Sequence, residues 1–439
     1  MTYRDTTILF VAFPDISNSF GAASPSTLSW VLNAYTIIFA ALLVPAGKLA
    51  DRFGHRRAFL LGSATFTVAS LACGMAPDVH SLIAARIVQG IGAAIIVPAS
   101  LALVMAAFPR EKLPQVVAIW GAIGALSAAL GPSLGAFVVD AFGWRWAFYL
   151  NLPIGLVTLV AGARRLRESA DASVPIPSLA GVVLIALAAG TLSYGVVESD
   201  VVGWASTQTV VALVSGAALL ALFVFHQRKT ANPTLDLELF ALCNFRWGNL
   251  AMFSFSLAFS AMFFGLILFL VNVWEWSILT AGLALTPGPL LAAIAAPRFG
   301  RLAGKIGQRS LVITGGVVFA VSGLYRLASL GPDADYLTTV GVSLVLDAVA
   351  IALVFPQVTS AAAQALPANR RGVGGGVTQA VRQFGGSFGV ALTVALLGTT
   401  GAAYNLTAEG FHTLWWLLVG VGAATALFAL PLRTPRANA

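Results

Sequence analysis

Residues 47–57 read Gly-Lys-Leu-Ala-Asp-Arg-Phe-Gly-His-Arg-Arg, a short polar stretch between two long apolar runs at 29–50 and 57–76. Gly47 and Gly54 permit backbone conformations closed to other residues. Asp51 sits among four cations, Lys48, Arg52, Arg56 and Arg57, and a carboxylate so placed interacts favourably with a helix N-terminus. The stretch recurs 253 residues later as Gly300-Arg-Leu-Ala-Gly-Lys-Ile-Gly-Gln-Arg309. Gly, Leu, Ala, Gly and Arg coincide, and Lys305 answers Arg52. Gly304 stands where the first copy has its acid, so only the first copy can hold an acidic lock.

The surrounding chain explains why such a loop stands out. Of 439 residues, 58% are hydrophobic and 10% charged, with mean hydropathy +0.88, whereas soluble domains carry about 25% charged residues. This excludes a cytosolic enzyme, a secreted disulfide scaffold and a disordered chain. Cys73 and Cys243 offer neither a staple nor metal-ligand spacing. Roughly 20 apolar residues cross a bilayer core. Runs of that kind lie at 29–50, 57–76, 81–106, 115–140, 146–163, 177–198, 206–226, 247–271, 279–298, 311–330, 337–360, 373–399 and 413–432. A shorter apolar segment at 3–16 would make fourteen spans.

Alternate loops divide the charges by sign. With the N-terminus cytoplasmic, 20 of the 25 basic residues fall in inner loops, and only Arg145 and Arg326 at the outer side. Arg4, Arg86 and Arg382 fall inside predicted spans. Asp78, Asp140, Glu198, Asp200, Glu275, Asp333, Asp335 and Glu409 collect outside. That is the positive-inside pattern, and it accounts for the net charge of +8 without any nucleic acid. Both termini are expected in the cytoplasm. The first span is short, about 24 Å at 1.5 Å per residue. Two readings stand: a start upstream of Met1, or a short helix with Arg4 snorkelling to the inner surface. The copies at 47 and 300 lie eight spans apart, the offset of two six-span halves with two spans between them. Duplicated halves around a midplane site build many secondary transporters. The halves are expected at 1–163 and 247–439, with the two extra spans and their loops at 164–246.

The loop Gly47-x-Leu49-Ala50-Asp51-Arg52-x-Gly54-x-Arg56-Arg57 resembles the signature loop of the major facilitator superfamily. The resemblance implies that this loop latches the halves in the outward-facing state. Leu82-Ile-Ala-Ala-Arg86-Ile-Val-Gln89-Gly90-Ile-Gly92-Ala-Ala94 is similar to the superfamily's arginine motif in antiporters. Arg86 cannot be deprotonated, so its implied role is to bias a neighbouring acid; the plain alternative is an arginine snorkelling at a helix end. Gly131-Pro132-x-x-Gly135 resembles the antiporter helix motif of exporters, with Ala118, Ser127 and Ala136 where that motif usually has glycine. Asp5-x-Thr7-Ile8-x-x-Val11-Ala12-x-Pro14-x-Ile16 resembles the first-span motif of fourteen-span drug:proton antiporters, although Arg4 and Phe10 depart from it. Further likeness covers Trp144-Arg-Trp146-x-Phe-x-x-Asn151-x-Pro153-x-Gly155, Ala281 to Pro289, and Val381-Arg382-Gln383-Phe-Gly385-Gly386. Arginine outnumbers lysine 21 to 4, an actinobacterial habit.

The resemblance implies an all-α integral membrane protein of the major facilitator fold, two six-helix halves plus two extra central helices. It implies a proton-coupled exporter of amphipathic, cationic or neutral drug-like compounds across the bacterial inner membrane. Small-molecule substrates and protons are its expected partners, and the scheme leaves room for an envelope accessory protein. No cofactor and no enzymatic step are expected, and no ATP-binding Gly-rich loop appears. Asp5 is the expected proton carrier, opposed by Arg86. Asp347, mid-run at 337–360, is a candidate substrate contact or second proton site, against a neutral carboxyl bonded to backbone or to a hydroxyl such as that of Ser343. Arg382 is expected to pair across helices. Trp144, Trp146, Trp204, Trp274, Trp276, Trp415 and Trp416 read as an interfacial belt, and Trp120 and Phe264 as packing ahead of the lining of a drug pocket. The rival readings are export of one endogenous metabolite or envelope lipid, an importer, against which Gly131-Pro132 weighs, and a transport-inactive remnant.

Overall fold

The computed structural model describes residues 2–21, 23–108, 120, 123, 127, 131, 133–168, 170, 176–333, 335–366, 371–397 and 407–433. Side chains of 2–7, 25, 200–201 and 371–372 are not among those described. The described residues form helices and connectors, with no strand among them. A hydrocarbon solvent forces this, because a helix satisfies its backbone groups within itself.

The first unit spans Met1–Asp236. It holds α1 (Thr2–Ser19), α2 (Pro25–Phe53), α3 (His55–Gly74) and α4 (Val79–Ala107), then α5 (Ser133–Phe142). After these come α6 (Arg145–Tyr149), α7 (Asn151–Arg165), α8 (Leu179–Val202) and α9 (Thr207–Lys229). The second unit spans Leu237–Ala439. It holds α10 (Cys243–Asn272), α11 (Ile278–Leu285), α12 (Pro287–Ile306) and α13 (Gln308–Ser329). A π-helical segment, Tyr336–Gly341, leads into α14 (Val342–Gln364), followed by α15 (Arg371–Leu397) and α16 (His412–Ala429).

Twelve helical segments among the described residues are long and apolar enough to cross a membrane, and they coincide with twelve of the thirteen long apolar runs. The remaining run, 115–140, falls mostly outside the described residues, with α5 at its end. The segment expected to be a short first span forms α1, an 18-residue helix that continues to Ser19.

Helix starts follow side-chain chemistry. Ser24, Ser178, Ser206 and Ser277 each accept a backbone N–H from three residues on, satisfying donors that the helix leaves open. Asp78 and Ser81 form a reciprocal cap at the start of α4. The Ser81 amide holds the exposed Asp78 carboxyl below its ordinary range.

In the first unit, α2, α3 and α4 pack together, α7 lies on α3, and the α8–α9 hairpin lies on α2. Lys48 Nζ donates to the Pro233 carbonyl at 2.7 Å, and Thr234 Oγ1 to the Ser178 carbonyl at 2.9 Å. These bonds fasten the hairpin and its return loop to the end of α2. In the second unit α10 is the central helix, packed by α14, α15 and α16 and almost wholly buried.

The tryptophans correct the expected belt. Trp146, Trp204 and Trp416 are exposed, as a belt requires. Trp144, Trp274 and Trp415 are buried in the packing. Trp144 Nε1 donates to Ser19 Oγ at 3.0 Å and Trp274 Nε1 to the Gly331 carbonyl at 3.0 Å.

Gly385 and Gly389 let α15 approach α10 closely. A Cβ at either would strike the carbonyl of Phe253 or Leu257. Gly389→Val is therefore expected to overpack this contact and destabilise the protein by about 1–3 kcal/mol. Gly420→Val, where a Cβ meets open space, should leave the melting temperature of the detergent-solubilised chain unchanged.

Candidate functional site

The 47–57 stretch forms the end of α2, a glycine break and the start of α3. Gly54 has φ +111°, and its counterpart in the second copy, Gly307, has φ +84° between α12 and α13. Both positions need a conformation that glycine adopts without strain, so the repeat seen in sequence recurs as the same helix–glycine–helix joint. Asp51 Oδ1 lies 2.8 Å from His55 Nε2. Arg52 lies over the Phe53 ring.

The acid that caps α3 comes from elsewhere. Glu168 accepts the backbone N–H groups of Arg56 at 3.0 Å and Arg57 at 3.1 Å. Its carboxylate also stands 3.8 Å from Arg57 Nε. Arg56 Nη2 donates to the Ala163 carbonyl at 2.8 Å. A Cβ on Gly54 would collide with the Glu168 carboxyl, which gives that glycine a second reason besides its φ. A carboxylate on the first-turn amides of a helix meets both open donors and the positive end of the dipole.

Arg86 is fully buried on α4, which removes the snorkelling alternative. Its Nε donates to the Val31 carbonyl at 2.9 Å, its Nη1 to Gln89 Oε1, and its guanidinium lies 4.1 Å from the Tyr35 ring centroid. Gln89 Nε2 in turn donates to Ser70 Oγ at 2.8 Å, and Asn151 Nδ2 reaches the same oxygen at 3.4 Å. The network ties α2, α3, α4 and α7. The side chain of Asp5 lies outside those described, so its pairing with Arg86 remains an expectation. Asp15, one residue after Pro14 on the same helix, accepts the Trp144 N–H at 2.9 Å where α6 begins.

The second unit carries the other buried charges. Asp347 and Arg326 are each 1% exposed, and Arg326 Nη2 donates to Asp347 Oδ2. Arg326 lies in the last turn of α13, at the span end where the sequence puts it, and its side chain reaches to Asp347 of α14. Ser343 Oγ donates to the Val340 carbonyl instead of to Asp347. Arg326 Nε and Nη1 and Asp347 Oδ1 have no hydrogen-bond partner among the described residues, so the pair is only partly satisfied.

Of the exporter-motif residues, Gly131 is buried in a helix and Gly135 faces Ile8 of α1, where a Cβ would press on that residue at 3.0 Å. Pro132 lies outside the described residues. Phe264 is fully buried in packing, and Trp120 Nε1 donates to Ser100 Oγ at 3.2 Å. Arg382 stacks on Phe355 of α14, 4.3 Å from its centroid. No cluster of His, Cys, Asp or Glu among the described residues is set to hold a metal.

The sequence pattern of the Major Facilitator Superfamily matches residues 1–390 and again 248–438. The chain belongs to the major facilitator superfamily. It is 37% identical over 401 residues to the Multidrug resistance protein Stp of Mycobacterium tuberculosis, covering 90% of this chain and 73% of that protein. It is 33% identical over 440 residues to the Cephamycin export protein CmcT of Amycolatopsis lactamdurans, covering 98% and 88%. The crystal structure of a D-xylose-proton symporter shares the fold at TM-score 0.70 and 14% identity, over 99% of this chain and 94% of that one. This superfamily member is a multi-pass membrane transporter, related to drug-resistance and export proteins, and not an enzyme.

Glu168, His55, Arg326 and Asp15 escaped the sequence reading of this transporter. Glu168 had one signal, an acid directly after Arg164, Arg165 and Arg167. His55 had the four-residue spacing to Asp51, whereas the partners of Arg326 and Asp15 are set by helix rotation and by a chain crossing.

Glu168→Ala is expected to cost about 0.5–2 kcal/mol, as loss of a helix cap does, and to speed amide exchange at Arg56 and Arg57. Arg326→Met leaves Asp347 buried and unpaired, at about 3–5 kcal/mol. The double variant Arg326→Met/Asp347→Leu should recover most of that loss in a thermal unfolding series.

Proposed function

We propose that the chain is a proton-coupled secondary exporter of drug-like compounds, with fourteen spans in the bacterial inner membrane and both termini in the cytoplasm. The observation that carries this reading is kinship over nine-tenths of the chain to a protein named for multidrug resistance, and over 98% to one named for cephamycin export. The α8–α9 hairpin supplies the two extra central spans, and α1 with the 115–140 run completes the count.

Asp5 carries the proton and Arg86 sets its balance, since a fixed cation favours the ionised acid. The buried network around Arg86 holds the guanidinium in one place. Asp51, with Gly47, Arg52, Gly54, Arg56 and Arg57, forms the conformational latch, while Gly131, Pro132 and Gly135 shape their helix for close packing. Asp347 suits a second proton site better than a substrate contact, because a proton reaches a sealed carboxylate and a drug does not. Export of one specific metabolite is the second reading, favoured by the relative named for cephamycin.

The test is proton release from acidified everted vesicles when substrates are added. The chain should dissipate the gradient, driven by about 2.3 kcal/mol per charge per 100 mV plus the pH difference. Asp5→Asn should abolish substrate-driven proton flux while leaving the protein folded and binding dye. Flux that persists undiminished in Asp5→Asn would remove Asp5 as the carrier.

A further inference from the structure

Among the described residues, α9 is the least buried of the twelve segments able to cross a membrane. It packs on α8, and away from that contact it carries a cavity of about 430 Å³. Ala217, Leu220, Ala221, Val224, Phe225 and Arg228 line it. Their three- and four-residue spacings place them on one stripe of the helix. Ala217 and Ala221, one turn apart, keep the surface low, while Leu220 and Phe225 beside them are 40% and 54% exposed. From Ala217 to Arg228 the stripe rises about 16 Å at 1.5 Å per residue. That is close to half of a bilayer core of about 30 Å, the depth of one leaflet.

The end of α9 sorts its polar side chains by direction. His226 Nε2 lies 2.7 Å from Ser178 Oγ, and Gln227 Oε1 accepts the Leu235 N–H at 3.1 Å, so both turn into the unit. Arg228 and Lys229 are exposed. Arg228 makes no hydrogen bond or ion pair. Lys229 sets its ammonium 4.5 Å from the centre of the Phe225 ring, a contact that leaves the charge unneutralised. No Asp or Glu stands in α9. The open carbonyls of a helix C-terminus carry about half a negative charge, less than the two side chains supply. The apolar groove therefore ends, one leaflet deep, in a net cationic site.

Charge and symmetry choose the occupant. Two copies of a chain in one membrane share their orientation, and a two-fold contact through this face sets like residues against one another at one depth. Arg228 and Lys229 would then meet their own counterparts, which repel. A zwitterionic headgroup carries its own cation beside the phosphate. An anionic headgroup carries none, and Lys and Arg at a membrane surface draw such lipids.

We propose that the stripe of α9 from Ala217 to Arg228 is a binding site for one anionic phospholipid. An acyl chain lies along Ala217, Ala221 and Val224, and the phosphate accepts from Arg228 and Lys229. Such a site needs only a membrane-spanning chain and stands apart from the export reading.

The test uses the full chain in phosphatidylcholine nanodiscs doped with one photoreactive lipid, phosphatidylglycerol or phosphatidylcholine bearing the same diazirine acyl chain. Peptide mass spectrometry counts adducts on residues 217–228 alone, so lipid bound elsewhere does not enter. Phosphatidylglycerol should label this stretch about tenfold or more above phosphatidylcholine. Arg228→Gln should lower that preference about fivefold, and Arg228→Gln/Lys229→Gln should abolish it. Arg164→Gln/Arg165→Gln, which removes the same charge at the end of α7, should leave it unchanged. Ala221→Trp fills the groove with every charge kept and should also reduce labelling by phosphatidylglycerol, so a defect confined to the Arg228 variants does not decide the matter. Equal labelling by the two lipids overturns the proposal, as does a preference that survives Arg228→Gln/Lys229→Gln. A stretch that neither lipid labels, in a chain that sediments as a dimer and as a monomer after Ala221→Trp, gives the face to a second copy and overturns it too.

Discussion

A hydrocarbon interior offers no hydrogen bonds, so every polar group placed there must find its partner inside the protein. That constraint governs more of this chain than any single contact. It makes the described segments helical and puts serines and an aspartate at helix starts, where Ser24, Asp78, Ser178, Ser206 and Ser277 close open donors. It also explains the company that Arg86 keeps. The guanidinium meets a carbonyl, an amide oxygen and an aromatic face, and Gln89 then hands the demand on to Ser70. A cation in lipid has recruited three neighbouring helices to satisfy it.

The same constraint separates what could be read in the sequence from what could not. Span positions were legible because the cost of charge in hydrocarbon writes itself into composition, residue by residue, and twelve segments fall on the expected runs. The glycine joint was legible because a backbone need and a spacing coincide at Gly54 and Gly307. Partners were not. Arg326 lies 21 residues from Asp347 near the end of an apolar run, where a cation reads as an outer-loop charge. Only the mutual rotation of α13 and α14 turns it inward. Glu168 lies 112 residues from Arg56, and no local pattern announces that a linker returns to cap a helix. The buried tryptophans failed for a related reason: a ring near a span end is equally at home in an interface or against its neighbours, and Trp144 and Trp274 found donors' partners within the fold.

The duplicated joint shows how far two copies can diverge while keeping their backbone. Gly54 and Gly307 both hold positive φ, so the turn survives in each. The chemistry around it does not. In the first copy Glu168 presses onto Gly54 and draws Arg56 and Arg57 into place, while Asp51 pairs with His55. In the second copy Gly304 replaces the acid, and a Cβ there or at Gly300 would meet open space. The conserved geometry belongs to the fold. Among the described residues, the acidic capping of this joint is found in the first copy.

The distribution of charge in the second unit follows from sealing one acid. Pairing Asp347 with Arg326 encloses the negative charge, and the orphaned atoms of the pair leave the cost of burying it only partly offset. Arg382, clear of the ends of α15, is partly buried and rests on Phe355 of α14. Cation–π contact tolerates this position because the ring attracts the guanidinium without neutralising it. Phe355 meets Arg382 as Tyr35 meets Arg86 in the first unit, each ring facing a guanidinium within a span.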